Sequence, residues 1–473
     1  MSVRLALLAA LAAGAAARLV LAFRRPLWAD EVFTLTLARL SVGEMLEALR
    51  ADSGPPLHYL LARLILLPFP SPGAADAAVR LLSVVASLLH VPVFLSIARR
   101  ARAPREGAVA AALFLVLPLA VVSGAEGRGY ALASLLALGC FERLCRLRET
   151  PRTGVALAAG LLGGAAFLTH YLALLPVAGS FVAAFGERRR RAPALLGGAV
   201  AALLGAAWLP VAVAQPRASM AWTEAQPISE RALQFFANLG LGLPIEPTAA
   251  RLAAPVGLAV VGLALVLGRG RARVPAASPL LLGLGLLAAL VLWNGASLLP
   301  DRTALVFLPL VAIVLAQSGR VLPAACGVAG AAVLAASFGA LLRTTPGVEL
   351  AAALAPHVKS GARVVAAELW GPELDYRLAR EGLSRRVTPY PAEVARHPGW
   401  YAEEGLDDVR LAAEAAALVR AADGRTLFVL SPSTRAGRAL VAALGSSGGR
   451  RAASAGVFEV WVVPRTGPEE SGP

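Results

Sequence analysis

About eleven apolar runs constrain this chain more than any other feature of it. They lie near residues 3–23, 77–98, 107–122, 130–147, 154–169, 171–186, 194–214, 251–267, 276–299, 303–317 and 321–342. A helix needs about 20 apolar residues to cross a bilayer, and most of these runs approach that length. The 473 residues are 57% hydrophobic and only 16% charged, with mean hydropathy +0.67. No soluble domain of this size needs so much apolar residue. The expected fold is an α-helical polytopic membrane protein of about eleven transmembrane helices.

The formal net charge is +15, and the cations are almost all arginine, with Lys359 the single lysine. In a soluble chain this balance would suggest nucleic acid. Here the arginines fall in short clusters between apolar runs, which is how topology is encoded, so no nucleic-acid partner is expected. With the N-terminus inside, the inner loops are Arg99–Arg105, Arg143–Arg152, Arg188–Arg191, Arg269–Arg273 and Arg320. All five are cationic. That parity requires 154–186 to be a hairpin of two short helices turning at Thr169-His170-Tyr171, and it places the C-terminus outside. The first run reaches Phe23 and is read as an uncleaved first helix rather than a signal peptide.

Two regions are not simple spans. Residues 24–76 form a first outer loop with its own helices, marked by the capping-box spacing of Ser41 and Glu44 and by Ser71-Pro72. Residues 344–473 alternate short apolar strands (363–367, 426–430, 458–463) with helical patterns, notably about 404–422. They are expected to form an extracytoplasmic α/β domain beside a membrane core of 1–343. Cys140, Cys145 and Cys326 show no metal-ligand spacing and read as small core residues.

Ionisable groups concentrate in the outer turns. Asp30 and Glu31 follow Trp28 at the start of a loop helix; Asp52, His58 and Tyr59 come later in the same loop. Glu126, Arg128 and Tyr130 occupy the second outer turn, His170 and Tyr171 the third, and Asp301-Arg302 the fifth. The runs 107–122, 154–169, 194–214 and 276–299 carry no charge. A transporter would place ionisable groups near mid-membrane, whereas an enzyme acting on a lipid head group places them at one interface. Transfer from a phosphate-linked lipid needs a carboxylate to take the acceptor proton and cations where charge develops on the departing phosphate. Asp30 and Glu31 fit the first need, Arg128 and Arg302 the second, while Asp52, His58, Tyr59, Glu126, Tyr130, His170 and Tyr171 would line the pocket. Bland roles exist for each: Asp30 as a helix N-cap, Glu126 as a partner for Arg128, Arg80 as a structural cation, His90 as packing. No metal is required, since arginine can serve a single phosphate, although the two carboxylates and His58 offer ligands to a divalent ion. A multipass lipid or polysaccharide transporter is the alternative reading.

In order, Trp28-Ala29-Asp30-Glu31, Asp52-Ser53-Gly54-Pro55-Pro56-Leu57-His58-Tyr59, Val79-Arg80-Leu81-Leu82-Ser83, Glu126-Gly127-Arg128-Gly129-Tyr130, Thr169-His170-Tyr171 and Asp301-Arg302 resemble the GT-C superfamily of membrane glycosyltransferases. The branch they resemble is glycosyltransferase family 39, which includes protein O-mannosyltransferases and lipid A aminoarabinose transferases. Gly54-Pro55-Pro56-Leu57 stands where that family often has His-Pro-Pro-Leu, with the histidine displaced to His58. The resemblance implies an inverting transfer of a sugar from a polyprenyl-phosphate donor to a protein, lipid or glycan acceptor. It also implies a site on the outer face of a bacterial inner membrane, with the acid at Asp30 as base.

Overall fold

The computed structural model describes residues 3–52, 54–69, 72–215, 227–241, 247–270, 274–294, 301–343, 345–368, 370–383, 386–396, 407–455 and 458–464. Along the chain run α1 (Val3–Arg24), α2 (Ala29–Arg39), α3 (Val42–Arg50), α4 (Leu57–Leu66), α5 (Pro72–Arg100), α6 (Pro104–Val116) and α7 (Pro118–Ser123). Then come α8 (Tyr130–Arg146), α9 (Thr153–Thr169), α10 (Leu174–Phe185), α11 (Arg191–Ala206), α12 (Leu209–Ala214), α13 (Ile228–Leu241), α14 (Pro247–Gly268), α15 (Ala277–Asn294), α16 (Leu308–Gln317) and α17 (Val321–Leu341). The C-terminal third carries α18 (Pro346–Lys359), β1 (Arg363–Ala367), α19 (Trp370–Arg380), β2 (Val387–Tyr390), α20 (Asp408–Arg420), β3 (Thr426–Leu430), α21 (Arg435–Ser446), β4 (Arg450–Ala455) and β5 (Phe458–Val462). These elements divide into two compact units, one of residues 1–25, 53–70 and 74–342, the other of 26–52, 71–73 and 343–473. The loop 24–76, expected as one piece of the membrane core, is therefore split between them.

In the helical unit every apolar run is helical over its described residues, apart from breaks at proline. Among the described residues three stretches, Val3–Arg24, Gly73–Arg100 and the one opening at Val321, are long and apolar enough to cross a membrane, and shorter apolar helices of 10–17 residues accompany them. Leu292 and Val321 are 88% and 83% exposed, as lipid-facing residues would be in a chain of this composition, whereas Arg18, His90 and Ser134 are buried. The ten residues of α4 reach only about 15 Å, too short to span. The chain leaves the helix at His170 and restarts through a 3₁₀ turn at Tyr171–Ala173, the hairpin that arginine parity requires.

Two runs expected as single helices are broken by proline. Pro118 has no N–H for the Phe114 carbonyl and holds Leu117 extended, which separates α6 from α7. Arg18 satisfies the carbonyls exposed there. Its Nη1 donates to Gly14 and Leu115, each at 2.9 Å, its Nη2 to Ala120 at 3.1 Å, and its Nε to Ser87 Oγ at 2.7 Å. Pro210 likewise separates α11 from α12. The additional helix α13, which the hydropathy reading leaves unassigned, packs along α14.

The expected inner loops gather at one end of this unit. Arg100 donates from Nε to Glu142 at 3.0 Å and from Nη1 to Glu149 at 2.9 Å. Arg148 and Arg190 both pair with Glu187, and Arg190 Nη1 donates to the Leu144 carbonyl at 3.1 Å. Pro275 and Ser278 line the same cavity as Arg148, and Val274 exchanges backbone hydrogen bonds with the side chain of Gln317, three residues before Arg320.

The other unit is built on a five-stranded sheet of order β2-β1-β3-β5-β4. β1 pairs in parallel with β2 and β3, with α19 and α20 in the intervening connections, while β5 runs antiparallel to β3 and β4. The period-two alternation of the strands separates two cores. Val364, Ala366, Leu427 and Val429 pack with Leu350, Leu354 and Leu374 of α18 and α19. Val365, Ala367, Phe428 and Leu430 pack with Leu411, Val419 and Leu440 of α20 and α21. β2 and β4 are strands that the sequence pattern does not reveal. α2 packs against α19 within this unit.

Candidate active site

In the helical unit the site residues collect around the turn Glu126-Gly127-Arg128-Gly129, between α7 and α8. Glycine lets this turn approach its neighbours closely: a Cβ at Gly127 would lie 3.1 Å from Val79 Cγ1, and one at Gly129 would lie 3.0 Å from the Thr169 carbonyl and 3.3 Å from His58 Cβ. Ser83 Oγ donates to the Arg128 carbonyl at 2.9 Å, fixing the turn to α5. Glu126 is buried and forms an ion pair with Arg25 at 3.0 Å, rather than serving only Arg128. Arg25 is absent from the sequence expectations. Its one sequence signal is its place at the end of the first apolar run, where a cation reads as an interfacial anchor.

Arg128 Nη1 donates to Tyr59 Oη at 3.3 Å, which joins the expected phosphate ligand to the expected pocket wall. The buried His58 donates from Nε2 to the Gly127 carbonyl at 3.3 Å. Burial, then the charge of Arg128, push the His58 pKa down to about 4, against the pull of the Gly127 carbonyl. The Tyr130 and His170 rings lie 5.1 Å apart. His170 Nδ1 accepts from the Leu172 amide at 3.3 Å and so caps the 3₁₀ turn; burial and Arg128 hold its pKa near 4 as well. Tyr171 Oη donates to Gln215 Oε1 at 2.8 Å and accepts from the buried Trp208 Nε1 at 2.9 Å. Gln215 Nε2 in turn donates to the Gly54 carbonyl at 3.1 Å, tying the Pro55-Pro56 segment into the cluster.

Arg80 is buried and caps α1. Its Nη1 donates to the Ala22 carbonyl at 3.0 Å and to the Arg25 carbonyl at 2.6 Å, where a helix C-terminus carries partial negative charge. His90 stacks on Phe114 at 4.2 Å and bonds Ser134, a packing role. Asp301-Arg302 opens a 3₁₀ turn over 301–306; the side chains of both lie outside the described residues. Among the described residues no group of three or more His, Cys, Asp or Glu stands close enough to hold a metal ion.

The two adjacent acids belong to the other unit, in the first turn of α2. The N-cap is Trp28, not Asp30, and it is Glu31, fully buried, whose Oε2 accepts from the Trp28 amide at 3.2 Å. Asp30 is half-buried, and its carbonyl accepts from Thr34 Oγ1 at 2.9 Å. Just before it, the Leu27 carbonyl accepts from Arg377 Nη2 at 2.6 Å. Arg377 also bonds Thr345 Oγ1 at 3.1 Å and is ion-paired with the buried Glu373 of its own helix, α19. Asp52 is a half-buried turn residue following α3.

The apolar helices, with polar turns at their ends and a small C-terminal sheet, make this an α-helical polytopic membrane protein with an appended α/β unit. More particularly, residues 53–212 match the family model described as dolichyl-phosphate-mannose-protein mannosyltransferase, which bears out the resemblance to family 39. The matched stretch contains His58, Tyr59, the Glu126–Tyr130 turn, His170 and Tyr171. Among solved structures the chain is similar to ArnT from Cupriavidus metallidurans bound to undecaprenyl phosphate. The identity is 15%, over 96% of this chain and 97% of that chain, with TM-score 0.49. It is also similar to the archaeal oligosaccharyltransferase AglB from Archaeoglobus fulgidus in complex with an inhibitory peptide and a dolichol-phosphate. Here the identity is 12%, over 92% and 70% of the two chains, with TM-score 0.47. No curated protein matches the sequence.

Proposed function

We propose that this protein transfers a sugar from a polyprenyl-phosphate donor to an acceptor hydroxyl on a protein, lipid or glycan, with inversion at the anomeric carbon. The observation that carries the reading is the Arg128 turn: a cation held against Tyr59, beside two histidines kept neutral, inside the segment that the mannosyltransferase model matches. Asp30 takes the proton of the acceptor hydroxyl as its oxygen bonds to the anomeric carbon. The bond from that carbon to the phosphate oxygen breaks in the same step, and Arg128 and Arg302 hold the departing polyprenyl phosphate. Glu31 supports the base through the backbone of its helix. His58 and His170, uncharged at neutral pH, shape the pocket with Tyr59, Tyr130 and Tyr171 and offer no competing positive charge.

A single phosphate monoester leaves with at most two negative charges, which two guanidiniums match, so the reaction is proposed to need no metal. Turnover unchanged within about twofold by a chelator is the expected result. The chain is proposed to sit in a bacterial inner membrane, its N-terminus cytoplasmic and its C-terminal unit outside.

The deciding experiment presents purified protein in lipid with a panel of radiolabelled polyprenyl-phosphate sugars and membrane extract as acceptor. Release of polyprenyl phosphate by the wild type, lost in Asp30→Asn with donor binding retained, is expected. Equal release by both would remove Asp30 from the chemistry. Movement of intact donor between leaflets without any release would favour transport instead.

A further inference from the structure

The cavity at the arginine-rich end of the helical unit takes no part in the chemistry above. Its volume is about 130 Å³, and it lies among the last turns of α8 and α10 and the first turn of α15. The 17 residues of α8 put it about 25 Å from the Arg128 turn, at the opposite end of the same helix. Its lining is divided: Phe141 and Leu144 belong to an apolar wall, Arg148, Glu187 and Arg190 to a charged one, and Ser278 stands exposed at its edge.

The charged wall is incompletely satisfied. Two guanidiniums share one carboxylate, which leaves one positive charge in excess. The Arg190 side chain is only 5% exposed; it spends Nη2 on Glu187 and Nη1 on the Leu144 carbonyl. Its Nε is buried and makes no hydrogen bond among the described residues. A buried donor of this kind is costly to leave unmet. Burial and the charge of Arg148 also lower the Arg190 pKa, the direction expected where cations outnumber carboxylates.

We propose that this cavity is a second anion site, in which Arg148 and Arg190 bind a phosphate group and the apolar wall receives the first carbons of a lipid chain. Arginine's planar fork matches phosphate oxygens, and a basic pocket between helices at an arginine-rich membrane face is suited to anionic head groups. Phosphate could be borne by a lipid or arrive free. The assignment does not depend on the transferase reading.

The test uses the full-length protein in detergent, titrated with dioctanoyl phosphatidylglycerol, with dioctanoylglycerol, which lacks the phosphate, and with sodium phosphate, read by native mass spectrometry and thermal unfolding. Saturable binding of the phosphatidylglycerol is expected, weakened about tenfold or more by Arg190→Gln and by Ser278→Trp, which fills the edge of the cavity. Arg189→Gln, an exposed neighbour outside the lining, should change it by less than about twofold. Competition by sodium phosphate would identify the free anion as a ligand; stabilisation by the lipid alone would assign the site to lipid phosphate. If Arg190→Gln does not fold, Ser278→Trp decides. Equal binding of dioctanoylglycerol, retention of binding in the folded variants, or an equal loss in Arg189→Gln would overturn the proposal.

Discussion

Asp30 and Glu31 are neighbours with different surroundings, and that difference separates their roles. Glu31 is buried and returns to the Trp28 amide, a job that glutamine can also do. Asp30 is half-buried on the same first turn. Glu31→Gln is therefore expected to keep most activity, and Glu31→Ala to cost about 1 kcal/mol of stability through loss of the cap. Asp30→Asn should leave stability nearly unchanged while lowering turnover by about 10²–10⁴-fold. Side-by-side turnover and unfolding measurements on the three variants check this; a Glu31→Gln enzyme as dead as Asp30→Asn would reverse the assignment. His58 gives a pH prediction. Its pKa near 4 lies below the unfolded value of about 6.5, so between these values the unfolded chain binds a proton that the folded chain refuses. Stability contributed by neutral His58 is full above about pH 6.5 and is lost as pH falls toward 4, by about 3 kcal/mol in all. Unfolding midpoints from pH 4 to 8 should show that slope in the wild type and a shallower one in His58→Gln.

Elements were legible in the sequence where apolar periodicity alone sets them, and illegible where one distant side chain completes them. Every apolar run is helical over its described residues, and the hairpin at His170 follows from arginine parity. The breaks at Pro118 and Pro210 lie inside uninterrupted apolar runs, so hydropathy passes over them. The residue that makes the first break tolerable, Arg18, is a lone arginine about a hundred positions away. The Arg25–Glu126 pair is hidden for the same reason, since nothing local joins positions 101 apart. The division of the first loop has a similar cause. The segment before α2 is tied by Arg377, 350 residues later, to a domain that sequence reading leaves without a functional motif. Arg377→Ala removes a charge-assisted bond to the Leu27 carbonyl and leaves the buried Glu373 without this partner, so amide exchange across 29–39 should quicken by about 10–100-fold. Exchange that quickens only within α19 would mean that α2 holds its place without the clasp.

At the scale of the molecule, the two ends of the helical unit are chemically different. One end gathers Arg100, Arg148 and Arg190 from loops that sequence reading assigns to a single side of the membrane, with Val274 and Gln317 beside two more such loops. The Arg128 turn, with Tyr59, His170 and Tyr171, lies at the opposite end of α8, so charge parity along the chain and packing in three dimensions agree on how the ends are segregated. Cationic loops resist translocation, so the proposed topology has the arginine end in the cytoplasm and the Arg128 end outside. The consequence can be read in intact cells with a membrane-impermeant maleimide, after Cys140, Cys145 and Cys326 are replaced by alanine in the full-length chain. Val409→Cys, on the exposed face of α20, should label directly, and Arg189→Cys, exposed beside the inner cavity, only after the membrane is permeabilised. The reverse pattern would turn the protein over in the membrane and place Arg128 where a lipid-linked sugar on the outer leaflet cannot reach it. Labelling of both sites in intact cells would break the parity on which the helix order depends.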